Sequence, residues 1–207
     1  MSHIMLIWIQ WSGKGTQARK ILEKSEEYVL FEMGTELRKF AKSGTPEWDE
    51  TRRCIEAGLK APTSAVVKMA ELYVANNKDK KILLDGVIRS QEQNTALEPV
   101  FGDFIVIYLD LDVEIAVARL GGRRIDPVTS ETFPSSYKWE TNPKTGNKLV
   151  VRADDTEDAI RSRISWSIAD TLPLIDTWES HGHPVYRIDA TQSEEEIFAE
   201  IERVITK

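Results

Sequence analysis

The chain has 207 residues, a hydrophobic fraction of 41% and a net charge of −7 at pH 7, values that are ordinary for a globular chain and argue against a nucleic-acid-binding protein. No apolar run approaches the ~20 residues that span a bilayer, and the single cysteine, Cys54, excludes an internal disulfide and a multi-cysteine zinc site. The N-terminus shows no signal-peptide pattern, so we expect a cytoplasmic protein with neither a membrane nor a nucleic-acid partner.

Short apolar runs alternate with segments of helical periodicity along most of the chain. The predicted strands are 4–9, 28–32, 81–85, 104–110 and 185–188. The predicted helices are 14–24, 35–43, 46–57, 63–76, 91–98, 112–120, 155–180 and 193–205. This alternation is typical of an α/β protein in which helices cover both faces of a parallel sheet. Two residues refine it: Ser193 should cap the last helix, and Pro173 should kink or split the helix predicted over 155–180.

Residues 125–150 have a different character, with three prolines, many Ser, Thr and Asn residues, and the aromatic pair Tyr137 and Trp139. This composition predicts an insertion of turns and short strands. A segment of this length inside a compact domain is usually functional, often a lid over a site. We expect Tyr137 and Trp139 to pack within the insertion.

The segment after the first strand resembles a phosphate-binding loop, Ser12-Gly13-Lys14-Gly15-Thr16. In such a loop the backbone N–H groups and the N-terminus of the following helix bind phosphate oxygens, and the lysine reaches the outer phosphates. Trp8 and Trp11 occupy positions usually given to glycine, which allows close approach of the backbone to phosphate. The indoles either occupy the phosphate space or point away and leave the anion site usable.

Two further patterns suit phosphoryl transfer. Asp85 ends an apolar strand and precedes Gly86, a position from which a carboxylate can hold Mg²⁺, whereas the plain alternative is an aspartate that starts a turn. Arginines recur at the edges of the predicted elements, and positioned guanidinium groups stabilise the charge that spreads over a transferred phosphoryl group. The arginines are Arg38, Arg89, Arg119, Arg123, Arg152, Arg161 and Arg163.

Several motifs in order make the chain similar to adenylate kinases over nearly its full length. The first motif, Gly13-Lys14-Gly15-Thr16-Gln17-Ala18, matches G-K-G-T-Q-A. The second, Met33-Gly34-Thr35-Glu36-Leu37-Arg38, resembles T-G-D-x-L-R. The third, Leu84-Asp85-Gly86-Val87-Ile88-Arg89-Ser90 with Gln93, resembles L-D-G-F-P-R-T with its glutamine. Arg119 and Gly122-Arg123-Arg124 resemble the entry to the family's lid, and Arg152-Ala153-Asp154-Asp155 followed by Arg161 and Arg163 resembles its exit.

The resemblance implies a P-loop fold of three layers with a five-stranded parallel sheet. It implies a core of residues 1–32, 64–122 and 153–207, an AMP-binding helical subdomain over 33–63 and a zinc-free lid over 123–152. The implied reaction is ATP + AMP ⇌ 2 ADP with Mg²⁺, with ATP, AMP and ADP as ligands of a monomer.

The resemblance also assigns the site residues. The ATP site would comprise Ser12, Gly13, Lys14, Gly15, Thr16, Arg119 and Arg123. The AMP site would comprise Met33, Gly34, Arg38, Gly86, Arg89 and Gln93. The catalytic group would comprise Lys14, Asp85, Arg89, Arg123, Arg152, Arg161 and Arg163. Asp85 and Thr16 would hold Mg²⁺, partly through water.

The chain departs from the family pattern at several positions. Met33 replaces a threonine that would bond the AMP base, and Val87-Ile88 replace Phe-Pro. Three hypotheses therefore stand: a working but impaired adenylate kinase, a catalytically silent scaffold with a blocked or Trp-lined cleft, and a kinase for another acceptor such as UMP or CMP. Separately, His181 and His183 are either a metal-binding pair or part of a helix stop around Gly182.

Overall fold

The structure, a computed structural model, describes residues 2–8, 14–41, 48–56, 61–120, 122–129, 131–151 and 157–206. Its strands are β1 His3–Trp8, β2 Tyr28–Glu32, β3 Lys81–Asp85, β4 Phe104–Asp110, β5 Arg124–Ile125, β6 Thr132–Phe133 and β7 Val185–Asp189. Its helices are α1 Lys14–Lys24, α2 Met33–Ala41, α3 Asp49–Glu56, α4 Thr63–Asn76, α5 Gln91–Phe101, α6 Val113–Leu120, α7 Glu157–Trp166, α8 Pro173–Ser180 and α9 Glu194–Ile205, with a π-helical segment over Ser167–Thr171.

Five strands form one sheet in the order β2-β3-β1-β4-β7, and every neighbouring pair is parallel. This confirms the predicted five-stranded parallel sheet. From β1 the chain passes β3 to reach β2, whereas from β3 it passes β1, in the opposite direction, to reach β4. The direction of the strand order therefore reverses between the neighbouring strands β1 and β3. Ligands of open α/β sheets bind at such a reversal, outside the carboxyl ends of the strands.

Alternating residues of β1 divide the core into two layers because successive strand side chains point to opposite faces. Met5 and Ile7 pack on the side covered by α4, α5 and α8, whereas Ile4 and Leu6 pack on the side covered by α1, α6, α7 and α9. All four side chains are buried. A central strand that is apolar on both faces needs helices on both, which gives the predicted three layers.

The helix predicted over 155–180 is split near Pro173, as the sequence predicted. α7 ends at Trp166, the π-helical segment follows, and α8 starts at Pro173, where a missing N–H does no harm. α8 stops at Ser180 and Gly182 follows with φ +89°, which confirms the predicted helix stop. Within the described ranges, no helix combines the length and apolarity needed to cross a membrane.

Several predicted boundaries were wrong, and two of them have a clear physical reason. α5 extends three residues beyond 98, past Pro99, because Phe101 at its end is buried in the core. α2 starts two residues before the predicted 35, at Met33, which is also buried. By contrast, Ser193 caps α9 as predicted: its hydroxyl accepts from the Glu196 N–H, and the Glu196 carboxylate accepts from the Ser193 N–H.

The insertion contains the predicted turns and short strands. β5 pairs antiparallel with β6, and Ile125 also bridges to Val150. Phe133, Tyr137 and Trp139 form a ladder of ring contacts with centroid separations of 4.8 and 5.2 Å. The ladder runs from the buried Phe133 to Trp139, which is 66% exposed. The aromatic pair therefore packs within the insertion, with its outer ring facing solvent.

Candidate active site

The candidate site lies where the sheet order reverses. β1 ends at Trp8, α1 begins at Lys14, and β3 ends at Asp85. In the register of the sheet Asp85 lies beside Leu6 of β1 and Glu32 of β2. Because all these strands are parallel, their carboxyl ends meet at the edge from which α1 starts.

Asp85 is 5% exposed, which is rare for an aspartate unless its charge is compensated. Its carboxylate supplies the hard oxygen ligands that Mg²⁺ prefers in proteins. Thr16, in the first turn of α1, adds a half-buried hydroxyl. The described residues contain no group of three His, Cys, Asp or Glu side chains that could hold a metal on its own. This pair therefore fits an ion that takes most of its ligands from phosphate and water.

The turn after β3 holds Arg89 in a fixed position. Gly86 adopts φ +61°, and its carbonyl accepts a hydrogen bond of 2.9 Å from Nε of Arg89. The backbone N–H of Arg89 donates to Oε1 of Gln93 at 2.9 Å, and Ser90 caps α5 through the Gln93 N–H at 3.3 Å. The exposed guanidinium of Arg89 and the amide of Gln93 are thus oriented by one hydrogen-bonded turn.

Three other predicted site arginines, Arg119, Arg123 and Arg161, lie along the path of the chain into and out of the insertion. Arg119, in the last turn of α6, donates to the Ala190 carbonyl at 2.9 Å, and Arg123 is 7% exposed at the start of the insertion. Arg161 on α7 is paired with two carboxylates, Glu114 and Glu157. Arg119 and Arg161 thus lie on α6 and α7, the two helices that flank the insertion.

Among the residues expected at the acceptor site, Met33 is 7% exposed and belongs to the apolar core with Phe31 and Trp48. Its side chain packs where the family motif has a hydroxyl. Gly34 follows Met33 in the first turn of α2. A Cβ at Gly15 would meet no atom of the described residues within 4 Å.

Several predicted site residues lie outside the described residues. These are Trp11, Ser12, Gly13 and Arg152, together with the side chains of Trp8, Lys14, Arg38 and Arg163. The predicted helix starts near Thr45-Pro46 and Asp154-Asp155-Thr156 also lie outside them.

The insertion also contains a buried polar network, centred on Asp126, that the sequence did not predict. Its carboxylate is fully buried and accepts from Thr145 Oγ1 at 2.7 Å, Asn142 Nδ2 at 2.8 Å and Asn147 Nδ2 at 3.1 Å. Burial alone would raise the pKa of Asp126, but these side chains and the N–H groups of the following turn hold that pKa far below its usual range. The sequence signal was an aspartate before proline, followed by polar residues at turn positions.

Comparison with known proteins extends this picture. A family model described as adenylate kinase matches residues 9–183. The chain belongs to the adenylate kinase family. An adenylate kinase of Chloroherpeton thalassium is 34% identical over 94% of this chain and 93% of its own length. An adenylate kinase of Giardia intestinalis is 33% identical over 98% of this chain and 81% of its own length.

Membership of the adenylate kinase family makes the chain a nucleotide-binding enzyme of the nucleoside monophosphate kinase group. It also agrees with the P-loop fold, because the five-stranded parallel sheet and the helices on both faces are those that the sequence predicted. The nucleotides of this family are therefore expected at the edge of the sheet where β3 ends at Asp85 and α1 begins.

Proposed function

We propose that this chain transfers the γ-phosphoryl group of ATP to AMP, forming two ADP, and that Trp8 and Trp11 lower its rate. The observation that carries the proposal is the edge of the sheet at which a buried carboxylate, Asp85, stands beside the end of β1 and the start of α1. Enzymes of phosphoryl transfer share an arrangement in which a strand leads through a loop such as that of Gly13-Lys14 into a helix, and an acidic residue ends the neighbouring strand.

The ATP phosphates bind at the N-terminus of α1 in this proposal. The backbone N–H groups of Ser12 to Thr16 and the helix dipole favour the negative charge, and Lys14 bridges the phosphates between which the group moves. Arg119 stacks on the adenine of ATP. Its bond to the Ala190 carbonyl supports this role because it fixes the guanidinium at the edge of the core.

AMP binds on the side of α2 and α5. Arg38 and Arg89 hold its phosphate, Gly34 and Gly86 allow close backbone approach, and Gln93 faces the adenine. The hydrogen bonds that fix Arg89 and Gln93 support this assignment, since a pre-oriented planar fork loses less freedom when it binds phosphate. Met33 offers no hydroxyl, so we expect weaker discrimination among bases than the family threonine would give.

Mg²⁺ would be held by Asp85 and Thr16, partly through water, and would neutralise charge on the phosphates when bound. The protein's own part is positioning and cation supply. Arg123, Arg152 and Arg163 surround the transferred group when the insertion closes, and the resemblance includes Arg161 with them. Closure over the site also removes water that would otherwise accept the phosphoryl group.

The domain division belongs to the same proposal: a core of residues 1–32, 64–122 and 153–207, an AMP-binding subdomain over 33–63 and a lid over 123–152. The separate hydrogen-bond network of the insertion supports the lid assignment. We further propose that the protein acts as a monomer in the cytoplasm, which agrees with its charge and single cysteine.

The test is ADP formation from ATP, AMP and Mg²⁺ by the chain and by its Trp8→Gly/Trp11→Gly variant. We expect turnover by both and a higher kcat for the glycine variant, because a glycine leaves phosphate space that an indole fills. A Trp139→Gly variant is the control, since this exposed residue lies in the insertion and not in the loop.

Each alternative has its own outcome in this assay. Activity only in the glycine variant identifies a silent scaffold whose remaining site is intact. Turnover with UMP or CMP that exceeds turnover with AMP identifies another acceptor. Equal rates in the chain and the glycine variant refute the impairment, and no turnover in any variant with any acceptor refutes the proposed function.

A further inference from the structure

An ion-pair network joins the helices that flank the insertion. Arg161 of α7 donates from Nη1 to Oε1 of Glu114 at 2.9 Å and from Nη2 to Oε2 at 3.1 Å, and from Nε to Oε1 of Glu157 at 3.0 Å. Three of the five guanidinium N–H groups are thus bound to carboxylates. Such bidentate contact between planar groups fixes relative orientation as well as distance.

The network connects the two elements through which the insertion is attached. α6 leads the chain into the insertion, and α7 is the first described helix after it. The two helices belong to the same apolar layer, where Ala116, Ile160 and Ile164 are buried. Glu114 is held in turn, because Oδ1 of Asp112 accepts from the Glu114 N–H at 2.8 Å and caps α6. The hydrogen bonds and the charge of Arg161 lower the pKa of Glu114.

These contacts bear on which arginine faces the substrate. Residues two apart on an α-helix project roughly 200° apart, and Arg161 is the one whose guanidinium contacts Glu114. An arginine whose fork already binds a carboxylate must break two charged hydrogen bonds before it can bind a phosphate. Arg161 therefore differs from the exposed Arg89, whose guanidinium donates through Nε to the Gly86 carbonyl and is not paired with a carboxylate among the described residues.

We propose that Glu114 and Arg161 are positioning residues of the phosphoryl transfer, fixing α7 on α6 so that Arg163 meets the transferred group when the insertion closes. This role rests on the proposed function and replaces direct phosphate contact by Arg161. An isolated exposed ion pair contributes little, but a fork shared by two carboxylates restricts the angle between two packed helices.

The experiment is a double-mutant cycle with Glu114→Gln, Arg161→Gln and the two combined, in the chain and in its Trp8→Gly/Trp11→Gly form. We expect each single change to lower kcat by about three- to ten-fold with little change in KM, and the double variant to be no slower than the slower single, because both changes remove one interaction. The matched control is Arg187→Gln, which removes a similar fork to Glu179 at 2.8 and 3.3 Å that joins β7 to α8. It should leave kcat unchanged.

A different pattern overturns the proposal. If Arg161 binds the phosphoryl group, Arg161→Gln alone should lose about 10²-fold or more in kcat while Glu114→Gln stays normal. Additive losses would also overturn it, as would a loss in Arg187→Gln equal to that of the cycle variants.

Amide hydrogen exchange gives a readout that does not depend on turnover. Glu114→Gln and Arg161→Gln should raise exchange in α6, α7 and residues 131–151 to the same extent. Unchanged exchange refutes the network's role even in an inactive chain, whereas raised exchange without any turnover refutes only the proposed function.

Discussion

A methyl group on Gly86 should disturb both the backbone and the nearest arginine of the acceptor site. Gly86 adopts φ +61°, and a Cβ there would lie 3.0 Å from Nη2 of Arg89. Arg89 is also bonded to Gly86 itself, through Nε and the glycine carbonyl at 2.9 Å. The guanidinium cannot move away from the methyl group without straining or breaking that bond. Gly86→Ala therefore tests whether the position of Arg89 matters for AMP.

The magnitude follows from the backbone and from the guanidinium separately. A left-handed alanine costs about 1–2 kcal/mol, and alanine restricts the unfolded chain, which offsets about 0.4–1 kcal/mol. The net loss of about 1 kcal/mol should lower Tm by about 2–4 °C in a chain of this size. If the displaced guanidinium loses one hydrogen bond to phosphate, about 1.5–3 kcal/mol, kcat/KM for AMP should fall by roughly 10- to 100-fold.

The assay is initial rate against AMP at saturating ATP and Mg²⁺, with thermal unfolding of the same samples. Gly102→Ala is the matched control, because Gly102 has φ +63° and a Cβ there meets nothing within 4 Å. The control should lose stability and keep its kcat/KM for AMP. An unchanged kcat/KM in Gly86→Ala, or an equal fall in Gly102→Ala, would refute the reasoning.

Three further outcomes are expected. Asp126→Asn should raise amide exchange in residues 131–151, since an amide presents hydrogens where the carboxylate accepts them. Because the folded-state pKa of Asp126 is depressed, the carboxylate is ionised near pH 7 and the difference in exchange between variant and parent should be full there. That difference should shrink only as the pH falls towards the depressed pKa. Trp178→Phe should lower the free energy of unfolding, measured in urea, by about 2–4 kcal/mol. The smaller ring leaves a cavity, and Oδ1 of Asn94 loses the hydrogen bond of 2.6 Å that it accepts from the indole N–H. Trp139→Phe, at a position that is 66% exposed, is the control and should change the free energy of unfolding by less than about 0.5 kcal/mol. Asp85→Asn should raise the Mg²⁺ concentration needed for half-maximal turnover, and an unchanged Mg²⁺ dependence would refute its assignment.

The strands were the most predictable part of the fold, for a physical reason. β2, β3 and β4 are uninterrupted apolar runs bounded by polar residues, as strands buried on both faces must be, and their observed bounds equal the predicted ones. The place of Asp85 at the end of β3 followed from the same pattern. The helical connections between the strands were predictable too, because parallel strands need such crossovers.

Contacts between residues distant in the sequence were not predictable. Arg161 and Glu114 are 47 positions apart, and nothing in either segment names the other. The same holds for Trp178 and Asn94, and for Glu98, whose carboxylate oxygen lies 2.7 and 3.1 Å from ring nitrogens of His181 and His183. Periodicity predicts which face of a helix is buried, but the residues that this face contacts depend on how whole helices and strands pack against each other.

The proposed effects of Trp8 and Trp11 on phosphate binding can be tested separately from folding in this chain. The core side chains of β1, Ile4 to Ile7, are buried before the strand reaches Trp8, and they belong to both apolar layers. A substitution at Trp8 or Trp11 can therefore change phosphate binding while the sheet, the Arg89 turn and the Asp126 network stay formed. If the glycine variant recovers turnover at nearly unchanged Tm, the loop limits the rate and the scaffold does not. A large fall in Tm would instead mean that the indoles had become part of the core, and that this chain joined its phosphate loop to its packing.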